Sequence, residues 1–202
     1  MNSFYNSWFV AVITLGIALN LSWMRADAQE LPDVSAFLNG VSENPVVISP
    51  GSGEFEGIFV ETASGELTGI TYTLTYRDLK PTTDDAGMET PGMVTQVHIH
   101  IGKEWENGGV VAFLCSNMEG APAGTPPCPQ PTEAAPEVTV QGTIEAADVL
   151  AAGIGDTPGI IPAGDLNAVR QIMLGGASYV NLHTVAHPAG ELRGPIFFEL
   201  DF

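Results

Sequence analysis

Short segments rich in β-branched and aromatic residues recur along most of the chain, and clusters of Gly, Pro, Asn and Asp separate them. This spacing is typical of many short strands joined by turns. Because long helical patterns are scarce, we predict an all-β protein with about eight strands in an antiparallel, Greek-key-like β-sandwich or barrel. The predicted strands are residues 34–41, 53–61, 67–77, 93–101, 109–115, 137–143, 178–184 and 191–200.

Two short helices are predicted in the long crossover that precedes residue 178. Residues 144–151 and 164–173 contain good helix formers, and Thr143 and Asp165 stand where helix caps are expected. The stretch between them, residues 153–163, is rich in Gly and Pro and is predicted to be a loop.

The N-terminal segment predicts export. Residues 8–24 are mostly apolar and uncharged, and small residues at Ala26 and Ala28 fit the cleavage rule of a signal peptidase. We therefore predict a signal peptide over residues 1–28 and a single mature domain over 29–202, without a membrane span. An uncleaved N-terminal anchor is the alternative, because no Lys or Arg precedes the apolar run. The protein is expected to be secreted, periplasmic or on the cell surface.

The charge balance argues against one class of partner. The chain has 24 Asp and Glu residues against 6 Lys and Arg residues, which gives a formal net charge of -18 at pH 7. Phosphate binding needs a cationic face, so nucleic acid is not expected as a partner. An acidic, solvated surface is the simplest interpretation of this composition.

The two cysteines, Cys115 and Cys128, bracket a loop rich in Pro and Gly. An export compartment permits a disulfide, and closing a loop this short stabilises a fold by about 3 kcal/mol on the chain-entropy estimate. A thiol nucleophile or thiolate metal ligand is disfavoured because neither cysteine has a histidine nearby in sequence. We therefore predict a Cys115–Cys128 disulfide.

All four histidines fall in two motifs near strand ends. Side chains alternate across a strand, so His98 and His100 lie on one face and the apolar residues between and beside them on the other. His183 is placed on the polar face of strand 178–184 by the same alternation. The histidine face is expected to point outward, away from the core.

A hairpin is predicted between the last two strands, since residues 183–190 are few and include Pro followed by Gly. The hairpin places Glu191 and Arg193 beside Asn181 and His183. If strand 93–101 neighbours it, the histidines and this charged pair share one polar patch.

These motifs, in this order, resemble the CHRD (chordin-type) domain, from about residue 34 to the C-terminus. The most specific part is the final motif, with Tyr179, Asn181, Thr184, Glu191, Arg193 and Gly194. In animal chordins such domains occur in an extracellular antagonist of bone morphogenetic proteins, beside cysteine-rich modules that this chain lacks, so antagonism is not implied. The resemblance implies an exported stand-alone module. The matching segments are 39–40 (NG), 43–46 (ENPV), 97–102 (VHIHIG), 107–111 (NGGVV), 142–144 (GTI), 147–148 (AD), 179–184 (YVNLHT) and 188–194 (PAGELRG).

Two functions are consistent with the sequence. The first is a non-enzymatic extracellular binding or structural module for an unidentified protein or surface ligand. In that case the histidines hydrogen-bond across strands, and Glu191 and Arg193 either form an ion pair or bond to strand ends. No complete catalytic constellation is present, and no G-x-S-x-G elbow, so enzymatic activity is not expected.

The second function is metal binding. An H-x-H pair on one strand presents two imidazoles to the same side, and further histidines complete a set of nitrogen ligands for copper or zinc. The outline is similar to copper-zinc superoxide dismutase, although that family's remaining signature residues are missing. The candidate ligands are His98, His100, His183 and His187.

Overall fold

The computed structural model describes residues 32–79, 82–83, 89–90 and 93–198, so the predicted leader lies outside the described residues. The strands there are β1 (Val34–Asn39), β2 (Ser52–Glu61), β3 (Leu67–Arg77), β4 (Thr82–Thr83), β5 (Glu89–Thr90), β6 (Val94–Ile101), β7 (Val110–Ser116), β8 (Glu137–Ile144), β9 (Ala152–Ile154), β10 (Thr157–Ile161), β11 (Ser178–Thr184), β12 (Leu192–Pro195) and β13 (Phe197–Phe198). The helical elements are 3-10 turns at Gly40–Ser42 and Ala146–Asp148 and one α-helix, α1 (Leu166–Leu174). No helix in this described part is long and apolar enough to cross a membrane.

One antiparallel sheet contains the main strands, in the order β7-β6-β11-β12-β1-β2-β3-β8, with β13 paired to β1 beside this path. The sheet curls until its ends approach each other, and the Tyr72 hydroxyl of β3 donates to the main-chain oxygen of Leu114 in β7 (2.6 Å). The predicted all-β antiparallel fold is therefore confirmed as a nearly closed, barrel-like sheet. The last predicted strand is divided into β12 and β13.

The interior of the barrel is lined by the apolar side of each strand. Along β6, Val97, Ile99 and Ile101 are buried on the inner side, as the period-two pattern predicts. Leu182 and Leu192 of the neighbouring strands β11 and β12 are completely buried as well. Each such side chain stabilises the fold by about 1.5–3 kcal/mol relative to an exposed one.

The first of the two predicted helices is absent. The first predicted helix, 144–151, begins with Ile144, which instead ends β8 and pairs with Ile70 of β3. Ile144 is paired in the sheet and the next strand follows closely, so there is room for only a single 3-10 turn. An isolated turn of α-helix would also be too short to be stable by itself. The expected cap Thr143 is a strand residue, and Glu145 and Asp148 form the capping box instead.

The second predicted helix is present as α1. Asp165 caps it as expected, since its side chain accepts a hydrogen bond from the Ala168 main-chain N–H (2.9 Å). The helix buries Leu166, Val169 and Met173 against the barrel, and this amphipathic spacing explains why the pattern was readable from sequence.

The segment predicted to be a loop, residues 153–163, instead forms the hairpin β9–β10. Glycine permits the close pairing: a Cβ on Gly153 would lie 2.1 Å from the main-chain oxygen of Thr157. The hairpin is tied to the barrel by a hydrogen bond from the Gly109 N–H to the Gly153 oxygen (2.8 Å). Short strands rich in Gly and Pro resemble loops in composition, so the sequence pattern did not separate the two.

The predicted disulfide is confirmed. Cys115 and Cys128 are bonded, and both are buried beneath the loop that they close. Asn117 organises this loop, because its amide donates to the main-chain oxygens of Val94 and Cys128 and accepts from the Cys128 N–H. The loop is therefore fixed to β7 by the disulfide and to the start of β6 by hydrogen bonds.

Removing the disulfide is expected to weaken the fold without changing it. In a Cys115→Ala, Cys128→Ala variant, the free energy of unfolding should fall by about 3 kcal/mol, because the unfolded chain regains the entropy of an open loop. Urea unfolding followed by far-UV circular dichroism measures this loss. Adding reductant to the wild type should reproduce it, and an unchanged midpoint in both samples would contradict the prediction.

Candidate functional site

The three histidines of β6 and β11 meet on one face of the sheet because these strands are neighbours. His98 pairs across the ladder with Asn181, and His100 pairs with Tyr179, so His183 lies one step further along the same face. The ring centroids of His98 and His183 are 5.0 Å apart, and those of His98 and His100 are 5.5 Å apart. One ring nitrogen of each histidine lies within 4.8 Å of the other two.

This face points away from the core of the barrel, as predicted, but it is covered, so little of it is exposed to solvent. His98 is 3% exposed, His183 is 7% exposed and Arg193 is 1% exposed. The alternation along the strands is as predicted, but a second layer of chain covers the polar side. That layer consists of the segment around the first 3-10 turn, the loop 102–109 after β6 and the turn 185–190 after β11. The alternation of side chains assigns residues to the two faces of a strand, but it does not indicate which segments pack on each face.

Main-chain carbonyls fix the orientation of two of the imidazoles. His100 Nδ1 lies 2.9 Å from the oxygen of Gly108, and His183 Nδ1 lies 3.1 Å from the oxygen of Pro188. A carbonyl oxygen only accepts, so each Nδ1 carries the proton and each Nε2 keeps a free lone pair. Metal-binding histidines are commonly oriented in this way by a carbonyl on the far nitrogen.

The remaining ring nitrogens have no hydrogen-bond partner within the described part of the chain. These are both nitrogens of His98 and the Nε2 atoms of His100 and His183. They make up four of the six buried side-chain polar atoms that lack a partner there, the others being Ser178 Oγ and Arg193 Nε. Buried polar atoms are nearly always paired in folded proteins, so this concentration on one cluster marks it as the candidate functional site.

The imidazoles of the cluster are neutral near pH 7. Burial lowers the pKa of His98 to about 3, with a further contribution from the neighbouring His183. Burial likewise lowers the pKa of His100 to about 4, and it lowers the pKa of His183. Neutral imidazole is the form that binds a metal ion.

The geometry of the cluster is close to that of a metal centre. Bonds from imidazole nitrogen to zinc are about 2.0–2.1 Å long, so ligand nitrogens around one ion are about 3.3–3.6 Å apart. The three nitrogens lie within 4.8 Å of one another. Among the described residues, the ligand group consists of His98, His100 and His183.

The fourth candidate, His187, stands outside this group. It lies in the turn after β11, where its main-chain N–H donates to Thr184 Oγ1 (3.1 Å). Its main-chain oxygen accepts from the N–H groups of Thr184 and Gly190. The structure thus brings together three of the four predicted ligands and uses the backbone of the fourth to shape the turn.

Arg193 supports the cluster from one side. Its guanidinium donates to Asn107 Oδ1 (2.9 Å) and to the main-chain oxygens of Lys103 (3.1 Å) and Glu106 (2.6 Å). These bonds hold the loop 102–109, whose Gly108 oxygen orients His100. Arg193 is therefore a positioning residue for the loop that supplies the carbonyl.

A stack of three side chains connects Arg193 to the histidines. The guanidinium carbon lies 3.5 Å from the centre of the Tyr179 ring. The Tyr179 ring is in turn parallel to that of His100, with an interplanar angle of 7° and centroids 4.9 Å apart. The Gly108 N–H donates to the Tyr179 hydroxyl, which ties the stack to the same loop.

Glu191 and Arg193 do not form an ion pair, which was one of the two arrangements predicted for them. The Glu191 carboxylate accepts from the hydroxyls of Ser49 and Thr184, at 2.6 Å each. Two hydroxyl donors satisfy the Glu191 carboxylate, whereas the planar guanidinium of Arg193 matches the arrangement of its three carbonyl acceptors. Each charged group therefore anchors a different covering segment. Gly194 is a packing residue, since a Cβ there would lie 2.6 Å from the Phe37 oxygen.

Two residues near the cluster were missed by sequence reasoning. Glu43 is buried and accepts hydrogen bonds from the Asn181 side chain and from the Asn44 N–H. The sequence signal for Glu43 was its position in the segment 43–46 (ENPV), one of the segments that match the family. Phe113 of β7 meets the His98 ring edge-on at a centroid distance of 4.4 Å, and nothing local marks it.

Comparison with known proteins identifies one family. A family model described as CHRD domain matches residues 34–196. Neither the search of curated proteins nor the search of solved structures found a match. The matched range contains every residue of the histidine cluster and of its covering segments.

Replacing the guanidinium of Arg193 by an ammonium group should destabilise the covering loop 102–109. An Arg193→Lys variant is expected to lose about 2–4 kcal/mol of unfolding free energy, because one ammonium cannot serve three separated acceptors in a buried site. Arg77→Lys is the matched control, since its ion pair with Glu137 is half exposed and worth less than about 1 kcal/mol. Urea denaturation compares the two, and equal losses would contradict the assignment.

Replacing His98 by an apolar ring should stabilise the metal-free protein. His98→Phe removes two buried nitrogens without partners, so the unfolding free energy is expected to rise by about 1–2 kcal/mol. The measurement is urea unfolding in the presence of a chelator, with His187→Phe as a control that should change little. A clear loss of stability in His98→Phe would show that His98 is a structural residue.

Proposed function

The chain belongs to the CHRD-domain family, and on that premise we propose that it is an exported protein that binds one copper or zinc ion. The proposed ligands are His98, His100 and His183. His187, a candidate on sequence grounds, is left out of the proposed ligand set because its ring is not in the cluster.

The observation that carries the proposal is the set of unpartnered nitrogens. Leaving a buried polar group without a hydrogen bond costs about 1–3 kcal/mol, and the cluster contains four such atoms. A metal ion bound to one nitrogen of each ring supplies the missing interaction for three of them. The carbonyls on His100 and His183 leave the Nε2 lone pairs directed away from the backbone, as ligation requires.

Export is supported by two independent features. The disulfide of Cys115 and Cys128 is a bond that persists in oxidising compartments. The apolar run and the small residues at Ala26 and Ala28 are those of a signal peptide. Periplasm, cell surface and extracellular medium are equally compatible with both features.

A second candidate function is recognition of an extracellular protein or surface ligand. It is favoured by exposed aromatic side chains on the outer side of the sheet, where Phe37 of β1 is 54% exposed and Phe197 of β13 is 60% exposed. Exposed aromatic residues are enriched in protein interfaces. The strand registers place Phe37 and Phe197 on the same side of the sheet as the histidines, but on β1 and β13, where they stay exposed, so the two candidate functions are compatible with each other.

Metal binding is tested with the mature chain, purified without a histidine tag. Elemental analysis and titration with copper and with zinc are expected to give one ion per chain. The His98→Ala, His100→Ala double variant should bind at least 100-fold more weakly, because each lost imidazole removes a ligand bond.

The matched control is His187→Ala, which should bind like the wild type. Thermal unfolding provides a second readout, since a ligand that binds only the folded state raises its stability. Binding of neither metal more tightly than the double variant would refute the proposed function.

A further inference from the structure

The proposed function leaves the choice of ion open, and the surroundings of the cluster narrow it. Resting on that function, we infer that the site is built for monovalent copper, bound by three imidazoles with no fourth ligand. Four features of the described residues support this choice: the number of ligands, the aromatic rings beside them, the balance of buried charge and the position of Arg193.

The number of ligands favours an ion that accepts three. Within the described residues the cluster offers one nitrogen each from His98, His100 and His183. Zinc is almost always four-coordinate and takes a water or a further side chain as its fourth ligand. Monovalent copper has a filled d shell and low charge, so a planar set of three nitrogens satisfies it.

Two aromatic rings of the sheet flank the cluster, and among the described residues no fourth His, Cys, Asp or Glu belongs to the ligand group. Phe113 meets the His98 ring edge-on, and Tyr179 lies flat against His100. The Tyr179 hydroxyl already accepts from the Gly108 N–H. An apolar shell of this kind limits the access of solvent to a metal. It therefore disfavours the bound water that a three-histidine zinc site keeps.

The buried charges around the cluster favour a single positive charge. Glu43, Glu191 and Arg193 are the charged side chains buried on this side of the sheet among the described residues. Counting each carboxylate as -1 and the guanidinium as +1, they carry one net negative charge. A monovalent ion neutralises that charge. A divalent ion leaves an uncompensated positive charge in a region with little water, and such burial is costly.

The position of Arg193 is consistent with a weakly charged ion. The strand order β6-β11-β12 places Tyr179 between His100 and Arg193, and the aromatic ring separates the guanidinium from the imidazole. The remaining repulsion between guanidinium and metal scales with the charge of the ion, so it is half as large for a monovalent ion as for a divalent one.

The inference is tested by comparing two ions on the same protein. Under anaerobic conditions, monovalent copper is titrated in competition with bathocuproine disulfonate, and zinc in competition with a fluorescent chelator. The tag-free mature chain is expected to bind one monovalent copper ion, with a Kd at least 100-fold lower than that for zinc. X-ray absorption should give three nitrogen ligands at about 2 Å.

A substitution at Phe113, beside His98, tests the role of coordination number. Phe113→His introduces an imidazole beside His98, so zinc affinity is expected to rise at least tenfold while the affinity for monovalent copper changes less. Phe113→Leu keeps the position apolar and should leave the ratio of the two affinities unchanged. Circular dichroism confirms that each variant is folded. If Phe113→His does not fold, the wild-type comparison and the absorption spectrum decide alone.

The outcomes separate this inference from the proposed function. Tighter binding of zinc than of monovalent copper, or a fourth ligand in the absorption spectrum, would overturn the inference and leave a metal site in place. An unchanged affinity ratio in folded Phe113→His would also overturn it. If neither ion binds more tightly to the wild type than to His98→Phe, both the inference and the proposed function are refuted.

Discussion

The buried guanidinium of Arg193 is the interaction on which the second layer of this fold depends. A cation with 1% exposure is tolerated because three oxygens and an aromatic face replace its water. Those partners lie in the loop after β6 and on β11, so one side chain of β12 holds parts of the chain that are far apart in sequence. The loop in turn brings the Gly108 oxygen to His100. The part of the cover that orients His100 therefore depends on the placement of one charge.

The covering layer explains why so many polar residues of the last hairpin are buried. Glu191 anchors the segment that contains Ser49, and Asn181 binds Glu43 at the end of the first 3-10 turn. Gly190 completes this arrangement, since a Cβ there would collide with the Glu43 carboxylate and with the Asn181 side chain. The motif is thus a set of anchors for loops on the polar side of the sheet. Within it, the imidazoles are the groups left with unused nitrogens.

A fold that keeps unpartnered nitrogens in its interior gives up stability. Natural proteins retain such groups chiefly where function requires them, because an apolar replacement of similar shape removes the desolvation cost. The cluster combines that cost with the order expected of a ligand set: neutral rings, two tautomers set by carbonyls and three nitrogens within reach of one ion. The same cover that lowers the pKa of His98 also keeps solvent from the centre. Burial of the cluster is therefore the common cause of the lost stability and of the neutral imidazoles that can act as ligands.

Sequence alone determined most of the elements and the faces of the strands. The period-two alternation in β6 and β11 assigned Ile99 inward and His98 to the opposite side, and turn residues marked the strand ends. The disulfide followed from compartment and spacing, and α1 from its amphipathic pattern and the cap at Asp165. The first helix was predicted wrongly because local propensity yields to sheet pairing with a distant strand, and the β9–β10 hairpin was missed because its Gly and Pro content resembles that of a loop. Tertiary structure decided that the polar face is covered, that Arg193 binds a loop instead of Glu191, and that His187 is separated from the other histidines. These outcomes depend on which segments pack over the sheet, and such contacts join residues far apart in the chain, where no short-range pattern records them.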